Sequence, residues 1–178
     1  MTAIRFRLKD REMSAEPFHY KMCGLDDIYL LNGFKLHETS YGRGVSVEGA
    51  EDLHIAIGRY LILNRKVLGP KDIRFLRKNM KLTQDDLARF LGVTGQTVAR
   101  YEKGQTEVPG PVDKLMRIFY GMYLLPVEQR GELAQSLMDS IKELDSIDEV
   151  TDEPAYFGAS SDGWHKAVPA DPAFGLTC

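Results

Sequence analysis

Residues 82–105 read LTQDDLARFLGVTGQTVARYEKGQ, and this stretch decides the fold because it holds two short helices, each with its own start and stop signal. Thr83 is a good N-cap, Asp85 and Asp86 put negative charge in the first turn where the helix dipole favours it, and Leu87, Ala88 and Leu91 form an apolar stripe. Gly92 suits the left-handed residue that ends such a helix. Thr94 can cap a second helix, Gly95 to Lys103, which Gly104 closes in the same manner. The expectation is helix, tight turn, helix.

At about 100° per residue, the second helix carries Val98 and Tyr101 on one side and Gln96, Arg100 and Lys103 on the other, with Thr97 flanking. The first side packs and the second faces outward. An amide, a guanidinium and an ammonium match what duplex DNA presents: glutamine pairs with adenine, arginine with guanine, and lysine with phosphate. An ordinary solvated face has the same composition, so both readings stand on composition alone. Glu102 breaks the pattern, because it lies beside Val98 on the inward side, where an unpaired carboxylate is costly. Upstream, Pro70 to Met80 reads as a further helix with Ile73, Leu76 and Met80 inward, and Arg77 falls within that arc. Arg77 and Glu102 are therefore the expected buried or half-buried ion pair.

These residues resemble the XRE, or lambda-repressor-like, helix-turn-helix family, from Lys71 to about Tyr123. The resemblance rests on Gln84 at the start of the first helix of the motif, the small Ala88, the turn Gly92 and the terminal Glu102-Lys103-Gly104, and it places the family's ion pair at Arg77 and Glu102. More narrowly, the chain resembles MqsA-type antitoxins and related regulators, whose recognition helix carries a base-reading amide and an arginine before Tyr-Glu-Lys-Gly, here Gln96 and Arg100. Zinc-binding members carry two cysteine pairs in the N-terminal domain, whereas this chain has Cys23 alone there.

The formal net charge of −3 is divided unevenly. Residues 70–124 hold ten Lys/Arg against six Asp/Glu, a net of +4, while residues 125–178 hold three against eleven, a net of −8. The helix-turn-helix thus keeps a positive local field for phosphate contact. Cys23 and Cys178, the only cysteines, do not make a disulfide framework, and with no signal peptide or spanning segment in view a cytoplasmic location is expected. Among His19, Cys23, His37 and His54 only the first two are closely spaced, so neither a metal nor any other cofactor is expected. No phosphate-binding glycine loop, nucleophile elbow or zincin helix is present, and Asp26-Asp27 follows Gly24-Leu25 as a loop, so the chain reads as no enzyme.

Taken in order, residues 1–16 read as a mobile arm with Arg5, Arg7, Lys9 and Arg11. Residues 17–66 read as a small β-containing domain plus a linker helix: HYKMC and IYLL as strands, a hairpin at Asn32-Gly33 leading into FKLHET, another strand near Val45 to Val47, then the amphipathic stretch Glu51 to Lys66. Residues 70–124 are the DNA-binding domain, closed by a helix with Val112, Leu115, Met116, Phe119, Met122 and Tyr123 as its stripe. Within 125–145, Leu133, Leu137, Ile141 and Leu144 mark an amphipathic helix that either packs on its own domain or pairs with its twin. Residues 146–178 read as an acidic disordered tail, with Tyr156-Phe157 and Trp164 as docking points for a partner.

The fold class expected is mainly α with a small N-terminal β-containing domain and a lambda-repressor-like helix-turn-helix bundle. The function expected is sequence-specific transcriptional regulation by a homodimer on a palindromic operator in double-stranded DNA, with no membrane role. Gln96 and Arg100 would read bases, while Gln84, Thr94, Thr97 and Lys103 would position the helix on phosphates. The competing expectation is an antitoxin that binds and neutralises a toxin and autoregulates its operon.

Overall fold

The computed structural model describes residue 14, residues 16–40, 42–125 and 154–167, and positions 136, 139, 140 and 143. Apart from those few positions, the expected arm over 1–16 and the expected amphipathic helix over 125–145 lie outside the described residues. The elements run β1 (Phe18–His19), β2 (Ile28–Leu30), β3 (Phe34–Thr39), β4 (Gly42–Val47), α1 (Ala50–Asn64), α2 (Pro70–Asn79), α3 (Gln84–Leu91), α4 (Gly95–Glu102), α5 (Gly110–Leu124), β5 (Ala155–Ser160) and β6 (Gly163–Lys166). Helices make up most of this regular structure, in keeping with the mainly α class. Two compact units are present, one of Met1–Met22, Asp26–Ala56 and Glu153–Cys178, the other of Cys23–Leu25 and Ile57–Asp152.

In the first unit, strands β1, β2, β5 and β6 form one sheet in that order, and β3 pairs with β4 in a separate two-stranded sheet. This overturns the hairpin expected at Asn32-Gly33. Gly33 does turn the chain, at φ +71°, but the strands on either side of it enter different sheets. The physical reason lies in Asn32, whose side chain is committed elsewhere: its Nδ2 donates to the Ala159 carbonyl at 3.2 Å, and the Ala159 N–H donates to its Oδ1 at 2.7 Å. The amide acts as a surrogate peptide group for β5 rather than as the corner of a hairpin. HYKMC is likewise not one strand, since β1 covers only Phe18–His19 and Lys21–Cys23 is a 3-10 turn.

The expectation of a disordered tail over 146–178 is overturned for β5 and β6. Strand β5 lies parallel to β2 with Ile28 opposite Ala155 and Leu30 opposite Phe157, and β6 folds back on it antiparallel. Acidity misled the reading, because most of the tail's acids precede residue 154, whereas Ala155, Phe157, Ala159, Trp164 and Ala167 are all buried. Phe157 and Trp164 therefore cannot serve as exposed docking points. The Trp164 indole lies where a side chain on Gly33 would sit, 2.7 Å from the position of the missing Cβ, and its N–H donates to the Glu48 carbonyl at 3.0 Å.

The second unit is built on helix stripes. Ile57 and Leu61 of α1, Ile73 and Leu76 of α2, Leu87 of α3, Val98 of α4 and Met116 of α5 are all buried. Gly58 is required on α1 because a Cβ there would overlap the Tyr120 ring, whose hydroxyl donates to Asn79 at 2.6 Å. Burial pushes the Tyr120 phenol well above its ordinary value, with Tyr123 adding to the shift. A second polar knot holds the end of α1. Arg117, only 1% exposed, donates to Asp113 at 2.6 Å and to the Ile62 and Lys66 carbonyls at 2.8 and 3.2 Å, while Asp113 accepts the Leu68 N–H at 2.6 Å. The guanidinium satisfies carbonyls that the end of α1 leaves without helical partners.

Candidate nucleic-acid interface

The motif is set by its caps. At α3 the Asp86 N–H donates to Thr83 Oγ1 and the Thr83 N–H donates to Asp86, both at 3.1 Å, a reciprocal box that satisfies two otherwise unpaired donors. Hydrogen bonds from Thr83 hold the Asp86 carboxyl below its ordinary value, so the acid stays charged at the helix N-terminus. Gly92 ends α3 at φ +68°, ψ +29°, a conformation glycine adopts without the Cβ penalty. Thr94 then starts α4, its Oγ1 accepting from the Thr97 N–H at 3.2 Å. Gly95 leaves room for Asp85, which occupies the space where a Cβ would stand.

Helix α4 buries Val98, Tyr101 and Glu102 and exposes Gln96, Arg100 and, at its C-cap, Lys103. Thr94 is exposed, and Thr97 and Gln84 are half-buried. The expected helix to Lys103 is thus one residue shorter, with Lys103 as its cap rather than its last turn.

One carboxylate ties three helices together. Arg77 of α2 donates from Nε to Glu102 Oε1 at 2.5 Å and from Nη2 to Oε2 at 3.0 Å, while its Nη1 donates to the Leu82 carbonyl at 2.8 Å. Gln84, the first residue of α3, donates to Glu102 Oε2 at 2.9 Å. Burial alone would raise the Glu102 carboxyl, but the bonds from Arg77 and Gln84 outweigh it and hold the group below its ordinary value. Gln84 is thus drawn into the ion pair, which helical-wheel reasoning on each helix separately had no means of finding. Asp113 and Arg117 were missed too: the buried face of α5 holds Val112, Asp113, Met116, Arg117 and Tyr120, turned away from the expected stripe, whose Met122 and Tyr123 are exposed, and the available signal was the i, i+4 spacing of the acid and the base.

The histidines considered as metal ligands have separate partners. His19 contacts the Asp26 carbonyl at 2.6 Å, His37 the Ser46 hydroxyl at 2.8 Å and His54 the Tyr20 hydroxyl at 3.0 Å. Among the described residues, no group of three His, Cys, Asp or Glu is placed to hold a metal ion, and no helix is long and apolar enough to cross a membrane.

The helix-turn-helix family model matches residues 73–112, which is 40 of the 178 residues and runs from α2 into the start of α5. The match supports the XRE-type resemblance for this bundle, with DNA as a partner, and the family is a DNA-binding rather than an enzyme family. Neither curated proteins nor solved structures give a match to the chain.

Proposed function

We propose that this protein is a sequence-specific transcriptional regulator that binds a palindromic operator as a homodimer, with α4 in the major groove. Gln96 and Arg100 read base edges, Lys103 and Thr97 contact phosphates, and Gln84 and Thr94 approach phosphates from the two helix N-termini. The observation that carries this reading is the asymmetry of α4: its inner face is anchored through Glu102 to two other helices, while its outer face offers an amide, a guanidinium and an ammonium. A groove reader needs that rigid backing, since base contacts tolerate little angular error. The exposed Phe90, Met122 and Tyr123 on α3 and α5 supply apolar surface that a second copy can cover.

Selection of bound sites from random duplex DNA tests the proposal. The expected product is a two-fold symmetric site with half-site centres about 10 base pairs apart, one helical turn, or a multiple of it. Arg100→Ala should then relax preference at one base pair per half-site, at a cost of about 1–3 kcal/mol, while Lys103→Ala weakens all sequences alike. Enrichment of no sequence, or identical behaviour of the two variants, would refute it.

The antitoxin reading is the second hypothesis, favoured by the separate β-rich unit, which offers a surface distinct from that of the DNA-binding bundle. It requires a stable complex with the product of a neighbouring small basic reading frame, and a mixture of the two that elutes as separate species excludes it.

A further inference from the structure

We infer that Asp85 is a base-reading residue, lent by α3 to the first position of α4 and selective for the amino group of cytosine; this rests on the function proposed above. Gly95 is the first residue of α4 and brings no side chain to it. Asp85 fills that place: its Oδ1 overlaps the position that a Cβ on Gly95 would take, and its Cγ and Cα lie 3.0 and 3.6 Å from the same point. The glycine is needed for this room alone, since its backbone lies outside the left-handed region. The neighbouring acid is used differently. Asp86 accepts from the Thr83 N–H and hydroxyl and from Arg89, all on or next to its own helix, whereas the exposed Asp85 carboxylate reaches across to α4.

At about 100° per residue, Gly95 lies on the flank of α4 between the outward Gln96 and the inward Glu102, and Thr97 lies on the opposite flank. The outward face of Gln96, Arg100 and Lys103 is therefore bordered by Thr97 on one side and by the Asp85 carboxylate on the other. In a helix-turn-helix complex the N-terminal residues of the recognition helix contact base edges, and glycine lets that backbone come close. An ionised carboxylate only accepts hydrogen bonds. It repels phosphate oxygens and the acceptor edges of guanine and thymine, and adenine sets its N7 acceptor beside the N6 donor, whereas cytosine presents the N4 amino group. An acid at this place thus opposes every duplex except one that puts a cytosine there, a preference gained largely by rejection.

The experiment uses the full chain with Asp85→Asn, which removes the charge at constant shape, and with Gly95→Ala, which keeps the acid but drives it from its place. Dissociation constants are measured for the enriched site, for each of its single-base-pair variants and for a scrambled duplex. The parent should prefer a C·G pair at one position of each half-site by about tenfold over the other pairs. Both variants should lose that preference and keep the one set by Arg100, and Asp85→Asn should also bind the scrambled duplex more tightly, since the repulsion of phosphate is gone. Unchanged preferences at every position in Asp85→Asn overturn the inference, and tightening on all duplexes alike would then mark the acid as a charge that opposes phosphate and reads no base. Retention of the cytosine preference in Gly95→Ala overturns it as well. A parent that enriches no sequence overturns the proposed function along with it, whereas loss of one base preference in Arg100→Ala beside an unchanged set in Asp85→Asn leaves that function standing and removes only the role of Asp85.

Discussion

Breaking the three-helix tie at Glu102 should destabilise the bundle by a predictable amount. Arg77→Met removes two charge-assisted hydrogen bonds, at 2.5 and 3.0 Å, and leaves the Glu102 carboxylate with the single bond from Gln84. Stranding a buried charge costs about 3–5 kcal/mol. The lower end applies here, because Gln84 remains and water reaches the site in part, the Arg77 side chain being 12% exposed against 3% for Glu102. With a urea dependence of about 2 kcal/mol per molar, a loss of about 3 kcal/mol lowers the midpoint by about 1.5 M. Glu102→Gln keeps the shape and one acceptor for Arg77, so it should cost less, about 1.5–3 kcal/mol, the worth of a hydrogen bond to a charged group. In the double variant the stranded charge is gone, and the loss should fall short of the sum of the single losses by about 2 kcal/mol. Far-UV circular dichroism is the readout, since the chain's one tryptophan, Trp164, lies in the other unit. Strict additivity in this cycle would mean that the side chains do not act together and that the anchoring of α4 has been misread.

The same carboxylate gives a pH dependence. Its folded pKa is depressed, so its contribution is present above the ordinary glutamate value of about 4.3 and is lost as pH falls through the folded value; Glu102→Gln should flatten this part of the acid limb in pH-dependent urea midpoints. Gly58→Ala forces a methyl group into the Tyr120 ring, so overpacking of about 1–3 kcal/mol should outweigh the gain of about 1 kcal/mol in helix propensity, and a rise in melting temperature would contradict the packing described. Truncation after Glu153 removes the strand that pairs with β2, and limited proteolysis should then open residues 18–47 while residues 70–124 stay protected. Equal protection in both chains would show that β5 and β6 are dispensable.

The sequence by itself determined the elements whose causes are local. Caps at Thr83 and Thr94, the left-handed stop at Gly92 and the 3.6-residue stripes of α2 to α4 act between residues three or four apart, so their signals survive in any short window. Arg77 and Glu102 stood out for the same reason, each a charge on an otherwise apolar arc, and the folded chain hydrogen-bonds them across two helices. Only the tertiary structure decided the partners of the strands and of the remaining polar groups. Asn32 with Gly33 carried a local hairpin signal, yet Asn32 bonds to Ala159, 127 residues away, and β2 takes β5 beside it in place of β3. Backbone N–H and C=O groups are alike at every residue, so a strand's pattern states which face is buried but not which edge will satisfy it. Gln84 and Arg117 follow the same rule: a polar side chain shows in sequence that it needs partners, and the acceptors it meets are set by how the helices cross.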